Sequence, residues 1–315
     1  MTEFRYDVTC VGTALVDSII RGFDPEPVSA SGYRAESGTL NAGGEAVNGA
    51  IAAAKLGLRT RIVCALGADA AGDLIVAALE HAGVDTGAVL RSAEHPTPVT
   101  TMFVRADGTR QSITNAAHRY NFHPERAPER FASSRIVTLG SLFRAPFDDP
   151  EIVCAAVRAA KAQGSLVFAD TKLPNFRRLT LDDLSGALPL IDCIFPNEDE
   201  ARYYSGETEP EAMADAFLRR GVKSVVVKLG AAGCLYKSET ETIRLGAYDV
   251  AAVDATGAGD NFIAGFAAER LRGSDSASAL RFANACGAIC TTAVGASAAL
   301  RSREQVLAFL ETRKI

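Results

Sequence analysis

Continuous apolar runs of strand length alternate with longer segments of helical period along most of this chain, and that alternation leaves few folds open. "YDVTCVG" (6–12), "TRIVCAL" (60–66), "RIVTLG" (135–140), "SLVFAD" (165–170), "CIFP" (193–196) and "SVVVKLG" (224–230) are apolar on consecutive rather than alternate positions. Strands buried on both faces read this way. The spacing between them predicts helices over 44–57, 70–84, 149–163, 197–204 and 209–220, and three more near 260–271, 275–293 and 302–312. Such alternation specifies an α/β fold, a mostly parallel, doubly wound sheet between two helical layers, with right-handed crossovers. With 315 residues, 48% of them apolar, the chain can fill one such core and carry an appendage.

Two stretches break the rhythm. Residues 17–42 and 97–118 carry little helical pattern, and "PVTTMFVRADGTRQSITNAA" reads as two strands about a turn at Ala106–Gly108. Together they predict one small antiparallel sheet, discontinuous in sequence, projecting from a core made of 1–16, 43–96 and 119–315. A projecting sheet has an exposed face that must cover a substrate, a partner subunit, or both.

Bulk properties exclude several functions. A net charge of −5 with 23% charged residues and no basic stripe argues against nucleic acid. No apolar run reaches the length needed to cross a bilayer. Glu3 and Asp7 make the N-terminus a poor signal peptide and a good first strand, so a cytoplasmic protein is expected. The seven cysteines form no C-x-x-C pair and sit among apolar neighbours, as buried thiols in a reducing compartment do. The four histidines show no ligand spacing, and no metal cage is read.

The stretch "DATGAGDNFIAGF" (254–266) carries the chemistry. Three small residues, Gly257, Ala258 and Gly259, precede Asp260 at the start of a predicted helix. The first N–H groups of a helix are unpaired and carry partial positive charge, and small residues let an anion approach them closely. A phosphate, or negative charge developing during reaction, suits such a nest. Asp260 would then stand beside any attacking group and could accept its proton. The alternative is that Asp260 merely caps the helix. No G-x-x-x-x-G-K-[ST] loop occurs, and the first strand runs into "CVGTALVDS" rather than G-x-G-x-x-G.

With "NAGGEAVNGAIAAAKLG" (41–57), "CALGADAAGD" (64–73) and "FPNEDEA" (195–201) added, the chain resembles the ribokinase-like, or PfkB, carbohydrate kinases over essentially its whole length. The resemblance implies that Asp260 is the catalytic base and that the N–H groups of Gly257, Ala258 and Gly259 form the anion hole for the transferred phosphate. It implies that Asp17, Gly43, Gly44 and Asn48 cradle the sugar. Physics agrees with that part, because Asn48 offers donor and acceptor together and Asp17 can accept two hydroxyl hydrogens. It further implies ATP as donor, with Asn197, Lys228, Gly230, Gly233, Asn284 and Gly287 near the nucleotide. Glu200 would organise Mg²⁺ through water. A K⁺ site at Asp254 and Thr256 is also implied, although Ala255 and Ala299 depart from the family pattern there. The two projecting stretches correspond to a lid, through which a homodimer is expected.

The acceptor is less sharply drawn. "VTLGSLF" (137–143) lacks the glutamate that ribokinases place near this strand end, and "FADTKLPNF" (168–176) differs from the fructokinase pattern while keeping Asp170. Lys172 reads either as a phosphate neutraliser or as a loop lysine in solvent, the latter slightly favoured. Arg21, Arg34, Arg105 and Arg110 are offset by nearby acids, so an unphosphorylated sugar, polyol or nucleoside is expected. The expected reaction is ATP-dependent phosphorylation of a primary hydroxyl. Its rivals are a nucleoside or phosphosugar kinase of the same fold, and a sugar-sensing module without catalysis.

Overall fold

The computed structural model describes residues 4–22, 35–105, 109–115, 122–131 and 133–313. The proposed turn at 106–108 and residues 23–34 and 116–118 of the two projecting stretches lie outside them.

An eight-stranded sheet forms the centre, in the order β14–β13–β12–β11–β10–β9–β1–β4. Its strands β1 (Tyr6–Val11), β4 (Thr60–Val63), β9 (Ser134–Leu142), β10 (Leu166–Thr171), β11 (Cys193–Phe195) and β12 (Ser224–Lys228) all run parallel. Only β13 (Cys234–Ser238) and β14 (Thr242–Leu245) add an antiparallel edge.

Period-two geometry explains the apolar runs, because successive residues feed opposite faces. Val8, Cys10, Ile136, Phe168, Cys193, Phe195 and Val226 enter one core cluster. Their neighbours Val11, Val137, Val167, Ala169, Ile194, Val225 and Val227 enter the other. The first core is roofed by α1 (Glu45–Lys55), α6 (Ala258–Leu271) and α7 (Ser276–Cys290). The second is roofed by α3 (Pro150–Ala162) and α5 (Pro210–Leu218). Helix α6 is buried from Asn261 through Glu269. Gly265 permits that depth, since a Cβ there would come within 2.7 Å of Cys286 Sγ on α7.

The chain leaves β1 toward β4 and leaves β9 toward β10, on opposite sides, so the winding reverses between β1 and β9. Open α/β sheets bind ligands at the carboxyl ends of their strands beside such a reversal. Helix α1 begins there, its Glu45 Cβ packed 3.2 Å from where a Cβ on Gly140 would stand.

A second, four-stranded sheet has the order β3–β2–β7–β8, from β2 (Leu15–Arg21), β3 (Ser37–Gly43), β7 (Val99–Val104) and β8 (Arg110–Thr114). Its outer pairings are antiparallel, as expected, while β2 and β7 at its centre run parallel. That follows from β2 and β7 belonging to different insertions, each closed by its own antiparallel neighbour. Among the described residues no helix is long and apolar enough to cross a membrane.

Candidate active site

The carboxyl ends of β9, β10 and β12, the first turns of α1 and α6, and strand β2 converge on one cleft. Gly257 adopts φ 78°, a left-handed conformation open to glycine, and turns the chain into α6. Its Cα faces Ala296 so closely that any Cβ would collide with it. Asp260 is the third residue of α6, and the helix start has no side-chain cap. The capping alternative is thereby removed. Asp260 Oδ2 instead accepts a 2.8 Å hydrogen bond from Asn48 Nδ2. Within the nest, the Ala258 N–H is turned back to the Ala255 carbonyl at 3.2 Å.

Asp260 is raised to about 7, first by burial and then by the nearby carboxylates Glu45 and Asp170; Lys172 and Asn48 oppose the rise. A helix N-terminus favours the charged carboxylate, so burial and like charge win here.

Asn48 is buried on α1, and its Oδ1 has no partner among the described residues. A buried acceptor left this way suits an incoming hydroxyl. Asp17 lies inside β2, paired with Asn41, within the projecting sheet that the sequence predicts. It is raised to about 6 by burial and by Glu45. Gly43 leaves room for it, since a Cβ there would strike its carboxylate. Gly44 has φ 96°, with the Thr13 carbonyl where a Cβ would go. Asp17, Ile19, Arg21, Asn41, Met102 and Val104 wall the cleft from the second sheet, with Asp254, Thr256 and Gly295 opposite.

At the other end, Asn197 and Glu200 form a reciprocal capping box at the start of α4 (Glu198–Ser205). Glu200 Oε2 accepts from Asn197 N at 2.9 Å and from Thr171 Oγ1 at 2.8 Å. Glu200 is buried, and burial together with the like charge of Asp170 raises its carboxyl. Lys228 Nζ bonds Asp170 Oδ1 at 2.7 Å and lies 3.0 Å from where a Cβ on Gly259 would stand. Lys228 therefore flanks the nest.

The softer nucleotide positions spread out. Gly230 opens a short turn at φ 57° with clear space beside it. Gly233 is glycine because the end of β14 passes where its Cβ would be. Asn284 Nδ2 donates to the Gly246 carbonyl at 3.0 Å, and Gly287 approaches the Ala258 carbonyl.

Asp254 and Thr256 are engaged by protein groups. Asp254 Oδ1 accepts from Thr256 N and Oγ1, and its Oδ2 accepts from Gly295 N. The 295–300 segment is also held by Asn261 Nδ2 to the Ala296 carbonyl at 2.9 Å, by Lys55 Nζ to the carbonyls of Ser297 at 2.5 Å and Leu300 at 3.1 Å, and by Gln305 Nε2 to the Ala299 carbonyl at 3.0 Å.

The solvent reading of Lys172 fails. Its side chain, 36% exposed, is not free in solvent but pairs with Glu45 Oε1 at 3.6 Å. Glu45 itself escaped sequence reasoning, although an acid directly after Gly43-Gly44 in an otherwise apolar helix start is a signal. Glu45, Asp170 and Asp260 line one small cavity.

The sequence model for pfkB family carbohydrate kinases matches residues 6–303. The chain is 28% identical over 277 residues to a ribokinase of Haemophilus influenzae, covering 85% of this chain and 87% of that one. It is 34% identical over 272 residues to an ATP-dependent ribose-1-phosphate kinase of Halopiger xanaduensis, covering 86% and 87%. Its fold matches Arabidopsis thaliana ribokinase, solved with ribose and ATP, at a TM-score of 0.85 and 30% identity, over 97% of this chain and 99% of that one.

Proposed function

The chain belongs to the pfkB family of carbohydrate kinases, and on that premise we propose that it transfers the γ-phosphoryl group of ATP to a primary hydroxyl of a small sugar or sugar-like alcohol. The observation that carries this reading is the convergence of Asp260, Asn48 and the uncapped start of α6 at one point. Asp260 takes the hydroxyl proton as the oxygen attacks, and the nest at Gly257–Gly259 receives the phosphoryl charge. Loose transition states of this kind need positioning more than a strong base. Asn48 Oδ1 and Asp17 accept hydrogens from the acceptor's other hydroxyls.

Two buried carboxylates close enough for each to act on the other, Asp170 and Glu200, fit the neighbourhood of a divalent cation. Among the described residues no group of three or more potential ligands gathers, so Mg²⁺ would rest on phosphate oxygens, water and Glu200, where it would neutralise phosphate charge. Since the Asp254 and Thr256 side chains are already bonded, a K⁺ ion near them would be held by main-chain carbonyls.

The apolar wall of Ile19, Met102 and Val104 beside Asp17 favours a second reading, a nucleoside whose base lies against that wall. The second sheet would serve as the lid. On its face away from Asp17, Leu40 and Ile113 share one row with Ser18 and Thr101 and are 62% and 70% exposed, which supports a homodimer through that face. The seven free cysteines, six of them buried, support a cytoplasmic setting.

Coupled ADP release with MgATP, across pentoses, hexoses, polyols, nucleosides and phosphosugars with and without K⁺, tests the proposal. One strong responder fixes acceptor and reaction together. Acceptor binding with no ADP release from any compound would leave the sensing module and remove the kinase.

A further inference from the structure

The catalytic cleft holds more negative charge than a kinase should tolerate unaided. Glu45, Asp170 and Asp260 line one cavity, Asp17 feels the charge of Glu45 and Glu200 that of Asp170, and a triphosphate must enter beside them. Two ammonium groups answer this charge. Lys228 is committed to Asp170 at 2.7 Å on the nest side. Lys172 is held differently. Its contact with Glu45 is longer, 3.6 Å, and Asp170, Asp260 and Glu200 also act on it. Glu45 is its ion-pair partner, and the charges of three further carboxylates act on it from farther away.

The main chain beneath Lys172 is fixed from two sides. Its N–H donates to the Leu142 carbonyl at 3.0 Å, and its carbonyl accepts from Tyr204 Oη at 2.6 Å. The Tyr204 ring is stacked on Phe143 at 3.9 Å. The neighbouring cation Arg144 turns its Nε to the Leu173 carbonyl. A long, mobile side chain on an immobile base, beside the proton acceptor, suits a group that must exchange one anionic partner for another.

We propose that Lys172 is a catalytic residue, whose ammonium leaves Glu45 to bind the γ-phosphate from the acceptor side, opposite Lys228 and the Gly257–Gly259 nest. The proposal rests on the kinase reading above. As the acceptor oxygen bonds to phosphorus, the bond to the β,γ-bridging oxygen breaks, the hydroxyl proton passes to Asp260, and ADP departs. Lys172 offsets the charge on the moving phosphoryl oxygens throughout. Glu45 is a positioning residue that holds the ammonium in place before ATP arrives.

Calorimetric titration with MgADP and with the magnesium complex of β,γ-imido-ATP tests this without any acceptor. Lys172→Met should weaken the imido analogue about 10- to 100-fold, as loss of a charge-assisted bond does, while MgADP stays within about threefold. Lys172→Arg should keep most of the preference, and Glu45→Gln should keep or improve it. Equal effects of Lys172→Met on both nucleotides, or none on either, would overturn the role. Should that variant fail to fold, differential acetylation of the wild-type chain decides. Protection of Lys172 by the imido analogue and not by MgADP supports the proposal, and equal labelling rejects it. A wild-type chain that binds neither nucleotide would remove the kinase reading itself, and this role with it.

Discussion

Asn48 and Asp260 stand 212 positions apart in the chain, and a 2.8 Å hydrogen bond from the Asn48 amide to Asp260 Oδ2 joins them. The bond ties α1 to α6 at the point where the proposed reaction brings acceptor and phosphate together. It aims the carboxylate and favours its charged form, against the burial and like charge that raise it. Asn48→Ala removes one donor from a buried carboxylate. We expect kcat/KM to fall about 10- to 100-fold, with the acid limb of its pH profile moving upward. A profile that keeps its midpoint would show that the bond does not tune Asp260.

For the unaltered protein, the base must be ionised to work, and Asp260 is raised to about 7. The activity of the free enzyme, read as kcat/KM, should therefore drop as pH falls through about 7. Asp17, raised to about 6, should steepen the loss below that point. A flat profile between these values would contradict the assignment of Asp260 as base.

The same shift makes a stability prediction. The folded-state value of Asp260 lies above its unfolded value near 4, so the folded chain binds this proton more tightly between the two. Stability from this group is present at low pH and lost as pH rises through about 7. Asp260→Asn carries no charge and escapes that loss. It should lower kcat about 10²- to 10⁴-fold while raising stability by about 1–3 kcal/mol above neutral pH. Thermal unfolding at pH 8 and pH 5 checks it. The gain should shrink at the lower pH.

Gly257 and Gly230 both have positive φ, 78° and 57°, yet a Cβ at Gly257 meets Ala296 while one at Gly230 meets open space. Gly257→Ala should cost about 2–4 kcal/mol, because backbone strain and a collision add, and should impair turnover. Gly230→Ala should cost about 1 kcal/mol from conformation alone. Comparable unfolding midpoints for the two variants would refute this ranking.

Lys55 ends α1 by holding the carbonyls of Ser297 and Leu300. Lys55→Met should free the 295–300 segment, which packs on Gly257. Faster amide hydrogen exchange there, with β4 unchanged, is the expected result. Unchanged exchange at 295–300 would mean that Asp254, Asn261 and Gln305 hold the segment without Lys55.

Strands, helices and the polar pocket differ in how far the sequence disclosed them. The β10 run "SLVFAD" announces itself because Val167 and Ala169 face one core and Phe168 the other. Helix α6 shows itself by apolar residues at helical spacing, yet it is buried nearly all round rather than on one face. Asp260, Asn48 and Asp17 were named from their motifs, and all three reach one cleft. Glu45 and Lys172 were not paired in the sequence reading, since their contact bridges the first turn of α1 and the end of β10. Such pairings depend on sheet order and helix tilt, which leave no local pattern. The partners of Asp17 leave no local pattern for the same reason. Its strand pairs with Asn41 and Thr100, and one short run of residues cannot reveal two distant partners.

The cleft is walled by the second sheet on one side and by Asp254, Thr256 and Gly295 on the other, while Asp260 and Lys228 stand on α6 and β12 of the central fold. Ile19, Met102 and Val104 make no part of the packing that holds α1, α6 and β10 together. Their replacement would alter which molecules are admitted and leave the proton acceptor and its surrounding charges where they are. Selectivity and chemistry are in this sense inherited separately, and a descendant of this chain could be re-aimed at a new acceptor by drift along two strands, β2 and β7, with its proposed catalytic apparatus left in place.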